Sequence, residues 1–501
     1  MNLLGVDIGT TTCKAGLFTL DGTVRRIARR PTPVRRAPQG HTFYDPEELW
    51  QTVADAIAAV TTHDPAAARS VRAVGVASMG EAGLLVDARS GAPRTALVPW
   101  NDPCATEQGE FLKHAADPLE RFLVTGWRAG FKCSLAKILW LRQQDPAVTT
   151  GSVWLSVAGY IAHRLTGAMS YSMDYSLASR TFAFDLTRQS WDASWLTSLG
   201  LPAGVFPPAV PSGASLGGVH VSGLGLPLGT PVAIAGHDHV CASLAAGVTG
   251  PGMVFNSMGT AEAILGVLPG RPLTVADYES GFAFGCHVVP GLLYWIGGIS
   301  ASGGSVEWLR GILAQAPPSY RKLAALLAKV ADGPTGILYF PYLSGRGSPH
   351  ADTDARAAFV GLRASHSRAD LAKAVLEGTA YELESILRAA PRATGEPVRR
   401  VLTAGGGTRL PLWLQIKADV TGCALEVRDL PEATLLGAAL LAGVGAGLYH
   451  SVTEAVAALK MPPPHLVEPD AARHAAYRRL YEDGYAPVGQ ALSSHNLREH
   501  P

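Results

Sequence analysis

Residues 3–19 read LLGVDIGTTTCKAGLFT. Leu3–Val6 is an apolar run of strand length, Asp7 to Thr12 is a turn, and Cys13–Thr19 is a second strand. Asp21-Gly22 closes the next hairpin. Gly9 permits a bend that a β-carbon would obstruct. Successive backbone N–H groups in such a bend form a hollow suited to an anion. The hydroxyls of Thr11 and Thr12 add donors, and Lys14 adds positive charge. A carboxylate at Asp7 repels phosphate unless a divalent cation lies between them, so Asp7 predicts Mg²⁺. The rival reading is an ordinary hairpin with Thr-rich strands.

Outward from this hairpin, Arg25 to Arg36 holds six arginines, read as the solvated face of edge strands rather than a polyanion site. Asp45–Val60 reads as an amphipathic helix entered through Asp45-Pro46, with Leu49, Val53, Ile57 and Val60 at helical spacing. Val71–Ala77 is a continuous apolar strand of the kind buried mid-sheet. Strands and helices alternate onward, which indicates an α/β architecture. Leu201–Pro231, rich in Gly, Pro and Ser, reads as a long surface loop. GVTGPG, residues 247–252, is the candidate boundary between two halves. Beyond it, Met253–Asn256 is a strand, Ser257–Thr260 a turn and Ala261–Val267 a strand. This repeats the pattern of residues 3–19 and suggests two related domains facing each other.

Three further signals carry chemistry. In VAIAGHDHV, residues 232–240, an apolar strand ends in Gly236 and presents His237, Asp238 and His239. Ligands bind at the carboxyl ends of strands in open α/β sheets. A carboxylate there can take a hydroxyl proton as the oxygen attacks phosphorus. A metal held by His237 and His239, or a structural polar loop, are the alternatives. Residues 402–407, LTAGGG, precede a helix that ends near Gly422, a turn that lets a nucleotide lie close to backbone. Gly303-Gly304 is a similar site of close approach. The chain has no G-x-x-x-x-G-K-S/T loop, no H-E-x-x-H and no G-x-G-x-x-G after a strand. Its one G-x-S-x-G match, Gly213–Gly217, comes after Pro-rich sequence rather than a strand, which argues against a hydrolase elbow.

Composition sets the bounds. The 501 residues carry 42 Lys plus Arg against 41 Asp plus Glu, which argues against nucleic acid or an anionic membrane as main partner. A hydrophobic share of 47% excludes a disordered chain, and the length favours two domains. Six scattered Cys without a C-x-x-C pair fit a reducing compartment, and Asp7 interrupts any secretory leader, so a cytoplasmic location is expected. The uncharged, apolar run Thr434–Tyr449 is too short for a membrane span and reads as a buried helix.

Taken together, these motifs resemble the FGGY carbohydrate kinases, of the actin-like ATPase superfamily. Asp7-Ile8-Gly9-Thr10-Thr11, Gly236-His237-Asp238, Ser257-Met258-Gly259-Thr260, the run Pro341 to Pro349 (PYLSGRGSP) and Ala404-Gly405-Gly406-Gly407 occur in that family's order, over roughly residues 3–450. The resemblance implies two RNase H-like domains with a cleft between them: residues 1–247 binding sugar, and residues 248–501 binding ATP and ending in a helical segment. It implies ATP and Mg²⁺, with Asp238 as catalytic base and Asp7 near the metal. Thr11, Thr12, Lys14, Gly259, Thr260, Gly303, Gly406 and Gly407 fall at the nucleotide. Gly80, Glu81, Trp100, Asp102, Asp238 and His239 fall at the sugar. Pro103 and Cys104 replace the family's usual arginines, and His239 and Leu410 also depart from its pattern, so the sugar's identity stays open. The expected activity is phosphorylation of a small polyol or ketose such as xylulose. An actin-like ATPase, a kinase of a non-sugar acceptor and a non-catalytic sugar sensor are the alternatives. A homodimer is the oligomer considered.

Overall fold

The computed structural model describes residues 1–167, 171–313, 319–430 and 432–494. Two sheets organise the chain. The first runs Ser215–Gly218, Pro231–His237, Val71–Ser78, Asn2–Ile8, Thr12–Thr19, Val24–Pro31 in space. The second runs Ala283–Cys286, Leu292–Ile299, Glu262–Pro269, Met253–Met258, Arg400–Ala404, Leu425–Val427, His465–Val467. Apart from Ser215–Gly218, Ala283–Cys286 and His465–Val467 at the edges, five strands remain in each sheet. Numbered along the chain, both sets lie in the order third, second, first, fourth, fifth. In both, the first three are antiparallel and the fourth and fifth run parallel to the first. The repeated hairpin in the sequence thus opens a repeated topology.

Local chemistry accounts for the elements. Asn2–Ile8 is buried at every position because it lies between two neighbours in mid-sheet. Asp7 belongs to this strand, opposite Lys14, rather than to the bend after it. The helix Pro46–His63 starts where the Asp45 carboxylate accepts from the Glu47 and Glu48 N–H groups, and it buries Leu49, Val53, Ile57 and Val60. The arginine stretch covers the outer strand Val24–Pro31, with Arg25, Arg26 and Arg29 exposed. Leu201–Pro231 is more ordered than a plain loop. Ala209–Val210 pairs with Met173–Asp174, and Ser215–Gly218 edges the first sheet, where no elbow forms.

The uncharged run forms the helix Ala433–Gly445, and this helix crosses between the halves. It emerges from the second half and lies across the first sheet. A β-carbon on Gly5 would sit 2.0 Å from the Leu435 carbonyl oxygen, and one on Gly75 would sit 1.9 Å from that of Ala438. On another face, a β-carbon on Gly437 would sit 2.0 Å from the Cys241 carbonyl oxygen, in the helix Asp238–Ala245. Its apolar, Gly- and Ala-rich sequence is explained by enclosure by backbone on several sides. No described helix is long and apolar enough to cross a membrane.

Gly75→Val should therefore force this crossing apart. We expect a stability loss of about 3 kcal/mol, read as a lower urea midpoint. An unchanged midpoint would show that the contact is not tight.

Candidate active site

Three parallel strands of the first sheet, Asn2–Ile8, Val71–Ser78 and Pro231–His237, lie side by side. Being parallel, they bring the residues beyond their carboxyl ends to one edge. Asp7 and the Gly9 bend come from the first, Gly80 and Glu81 from the second, and Asp238 from the third.

Asp238 opens the helix Asp238–Ala245. Its Oδ1 accepts the His239 N–H at 2.7 Å and lies 3.4 Å from His237 Nε2. One oxygen is thereby engaged, while the side chain keeps 23% exposure. His237 is buried, and its Nδ1 has no hydrogen-bond partner. Burial, then the nearby Arg180 and His239, push its pKa well below the usual value, so the ring is neutral. His239 stands 5.5 Å from it, ring to ring. Among the described residues no three His, Cys, Asp or Glu gather into a cluster that could hold a metal ion by itself.

At the first bend, the Gly9 N–H donates to the Thr12 carbonyl at 3.1 Å. Thr11 is exposed and Thr12 half-buried. Lys14 Nζ stands 3.3 Å from Asp7 Oδ2 and 2.8 Å from Glu432 Oε2. Burial lowers the lysine's pKa, but the two carboxylates outweigh it and hold the ammonium charged. Glu432 precedes the crossing helix and has left-handed backbone, φ 62°, which costs a non-glycine residue energy. It also pairs with Arg29 at 2.8 Å. Nothing in the sequence marked Glu432, because its partners lie about 400 residues away.

The second half gathers its own set. Gly259 and Thr260 are exposed in the bend between Met253–Met258 and Glu262–Pro269. The N–H of Gly303 donates to the Gly259 carbonyl at 3.1 Å, and that of Gly304 to Thr260 at 2.9 Å. Gly405, at φ 112°, and Gly407 lie against Met258, where a β-carbon would come within 2.6 and 2.9 Å. Gly406 faces open space. Gly259, Thr260, Gly303, Gly406 and Gly407 thus surround one end of the central strand. Beneath them Glu262 is buried with Lys417 at 2.9 Å and Ser302. No hydrogen bond or ion pair joins the Gly9 bend to the Gly259 bend among the described residues.

On the remaining side, Glu81 is buried at φ 55° and pairs with Arg180. A β-carbon on Gly80 would strike the His237 ring at 2.7 Å. Trp100 Nε1 donates to Thr10 Oγ1 at 2.8 Å, tying this wall to the first bend. Asp102 differs from the sequence expectation of a ligand. Its carboxylate is buried and accepts from Thr42 N–H and Oγ1 and from Cys104 N–H, so it holds the loop that carries Trp100. Pro103 and Cys104 form the short turn that Asp102 caps.

Asp7 is buried, and its pKa is raised to about 7. Desolvation is the largest cause, Lys14 opposes it, and Asp238 adds to it. An unfolded Asp ionises near 4, so the contribution of Asp7 to stability is lost as pH rises from about 4 to 7. Asp7→Asn escapes this penalty. Its stability advantage should grow over that range by on the order of 2–4 kcal/mol, then level off. Denaturant midpoints measured from pH 4.5 to 8 check this, and a constant difference would contradict it.

Comparison with known proteins agrees with this geometry. The N-terminal domain of the FGGY family of carbohydrate kinases matches residues 2–245, and the family's C-terminal domain matches residues 254–446. A glycerol kinase of Gloeobacter violaceus is 32% identical, over 91% of this chain and 90% of that protein. A xylulose kinase of Bacillus subtilis is 27% identical, over 90% of each. The crystal structure of xylulose kinase from Rhodospirillum rubrum superposes with a TM-score of 0.88 at 28% identity, covering 99% of both chains. The chain belongs to the FGGY family of carbohydrate kinases, enzymes that phosphorylate a sugar or polyol at the expense of ATP.

Proposed function

We propose that Asp238 is the general base that activates an acceptor hydroxyl of a small polyol, ketose or related sugar. The single observation that carries this reading is the meeting of Asp7, Glu81 and Asp238 at one carboxyl edge of parallel strands. The first half, residues 1–247, would hold the acceptor. The second, residues 248–501, would hold ATP, with the crossing helix as the structural link between them. The names of the relatives, glycerol kinase and xylulose kinase, support an acceptor of this size.

Asp238 Oδ1 is occupied by the His239 N–H, which leaves Oδ2 for the substrate. The acceptor oxygen attacks the γ-phosphorus, its proton passes to Asp238, and the bond from phosphorus to ADP breaks. Lys14 and the backbone N–H groups around Gly9, Gly259 and Gly406 offset charge on the phosphates. Thr11, Thr12 and Thr260 add hydroxyl donors, and Gly303 and Gly407 allow the close approach. Gly80, Glu81, Trp100 and His239 border the acceptor, while Asp102 supports them from behind. Asp7 would hold Mg²⁺: its Oδ1 is buried without a hydrogen-bond partner, and a hard carboxylate oxygen suits that ion. Bound there, the ion would neutralise phosphate charge.

The test is coupled ADP release across ketoses, alditols and sugar acids, with Asp238→Asn alongside. One or more acceptors should stimulate turnover. The variant should lose about 10²–10⁴-fold in kcat while still binding ATP. Wild-type turnover in the variant, or no acceptor-dependent ADP release, would overturn the reading.

A further inference from the structure

The acceptor wall contains more positive charge than a neutral polyol needs. From Asp238, contact passes to His237 at 3.4 Å. The His237 ring adjoins the bare Gly80, where a β-carbon would also come 3.3 Å from Arg180 Nε. Arg180 then pairs with Glu81 through Nη2. Its guanidinium centre lies 3.8 Å from the Trp127 ring centroid, a close cation–π contact. It is nine-tenths buried, and Nε and Nη1 complete no hydrogen bond of ordinary geometry, although the buried Tyr294 hydroxyl lies close enough to act on its charge. A buried cation with two idle donors is costly, and it invites an acceptor from outside the protein.

Lys132 completes the run. Its ammonium lies 5.1 Å from the Trp100 ring and forms no ion pair among the described residues. Desolvation lowers its pKa, Glu81 raises it and Arg180 lowers it, so the three charges act on one another. The turn that presents it is fixed from within. The buried Lys137 donates to the carbonyls of Phe131, at 3.2 Å, and Lys132. Arg180 and Lys132 together carry two positive charges against the one negative charge of Glu81. The excess stands at the other end of the contact run from Asp238.

We propose that the acceptor is a polyhydroxy acid, its carboxylate held by Lys132 and the idle edge of Arg180 while a hydroxyl reaches Asp238. Carboxylates suit this arrangement because guanidinium donors engage them in pairs. Glu81 stays paired to Arg180 and orients it, leaving its remaining oxygen for a substrate hydroxyl. The bare Gly80 lets the His237 ring and the guanidinium pack close together. The proposal rests on the reading of Asp238 as the base of a sugar or polyol kinase, and it narrows the substrate class.

The experiment compares matched aldonates and alditols of four to six carbons by coupled ADP release with the full chain. An aldonate should exceed its alditol in kcat/KM by about 10- to 100-fold, the worth of one or two charged hydrogen bonds. Lys132→Met should collapse that ratio toward one, chiefly through the KM for the acid, and Lys132→Arg should restore most of it. Lys132 is exposed, so both variants should fold. Turnover of neutral acceptors in preference to acids, or a ratio untouched by Lys132→Met, overturns the carboxylate and leaves the kinase reading standing. ADP release with no acceptor of either kind overturns both.

Discussion

The close crossing of the helix Ala433–Gly445 over the first sheet and the helix Asp238–Ala245 is the contact on which the site depends. Gly5, Gly75 and Gly437 remove the side chains that would hold these backbones apart. The crossing helix is preceded by Glu432, which reaches Lys14 in the first bend. Its Thr434 hydroxyl contacts the Asp238 carbonyl at 3.4 Å. The start of this helix therefore touches both Lys14 and Asp238 of the first half.

Charge is the second organising constraint. Asp7, Asp238, Glu81 and Glu432 collect near one edge, and burial there raises the pKa of Asp7. Lys14 sits between Asp7 and Glu432, and Arg180 answers Glu81. Cations, rather than bulk water, thus stand beside Asp7, Glu432 and Glu81. A polyphosphate bound as proposed would enter a network already balanced around Lys14 and would redistribute those pairs.

The repeated hairpins were legible in the sequence because a Gly-Thr bend between apolar strands is a local pattern, and so were the α/β class and Asp238 at a strand end. Thr434–Tyr449 was recognised as buried because it is apolar all round, but its crossing was not, since composition does not name a partner. Arg180, Trp127, Lys132 and Glu432 were missed for a related reason. Each gains its role from residues distant in the chain, and no short motif encodes that distance. Asp102 shows the other side of motif reading. A motif match marked it as a ligand, whereas its oxygens are taken by Thr42 and Cys104.

The most direct test is a crystal structure of the full chain with Mg²⁺, a non-hydrolysable ATP analogue and a turned-over acceptor. The account predicts one Asp238 carboxylate oxygen about 3 Å from the acceptor hydroxyl, with the γ-phosphate between the Gly9 and Gly259 bends. A terminal phosphate lying elsewhere, or an acceptor hydroxyl beyond reach of Asp238 and not bridged by water, would contradict it.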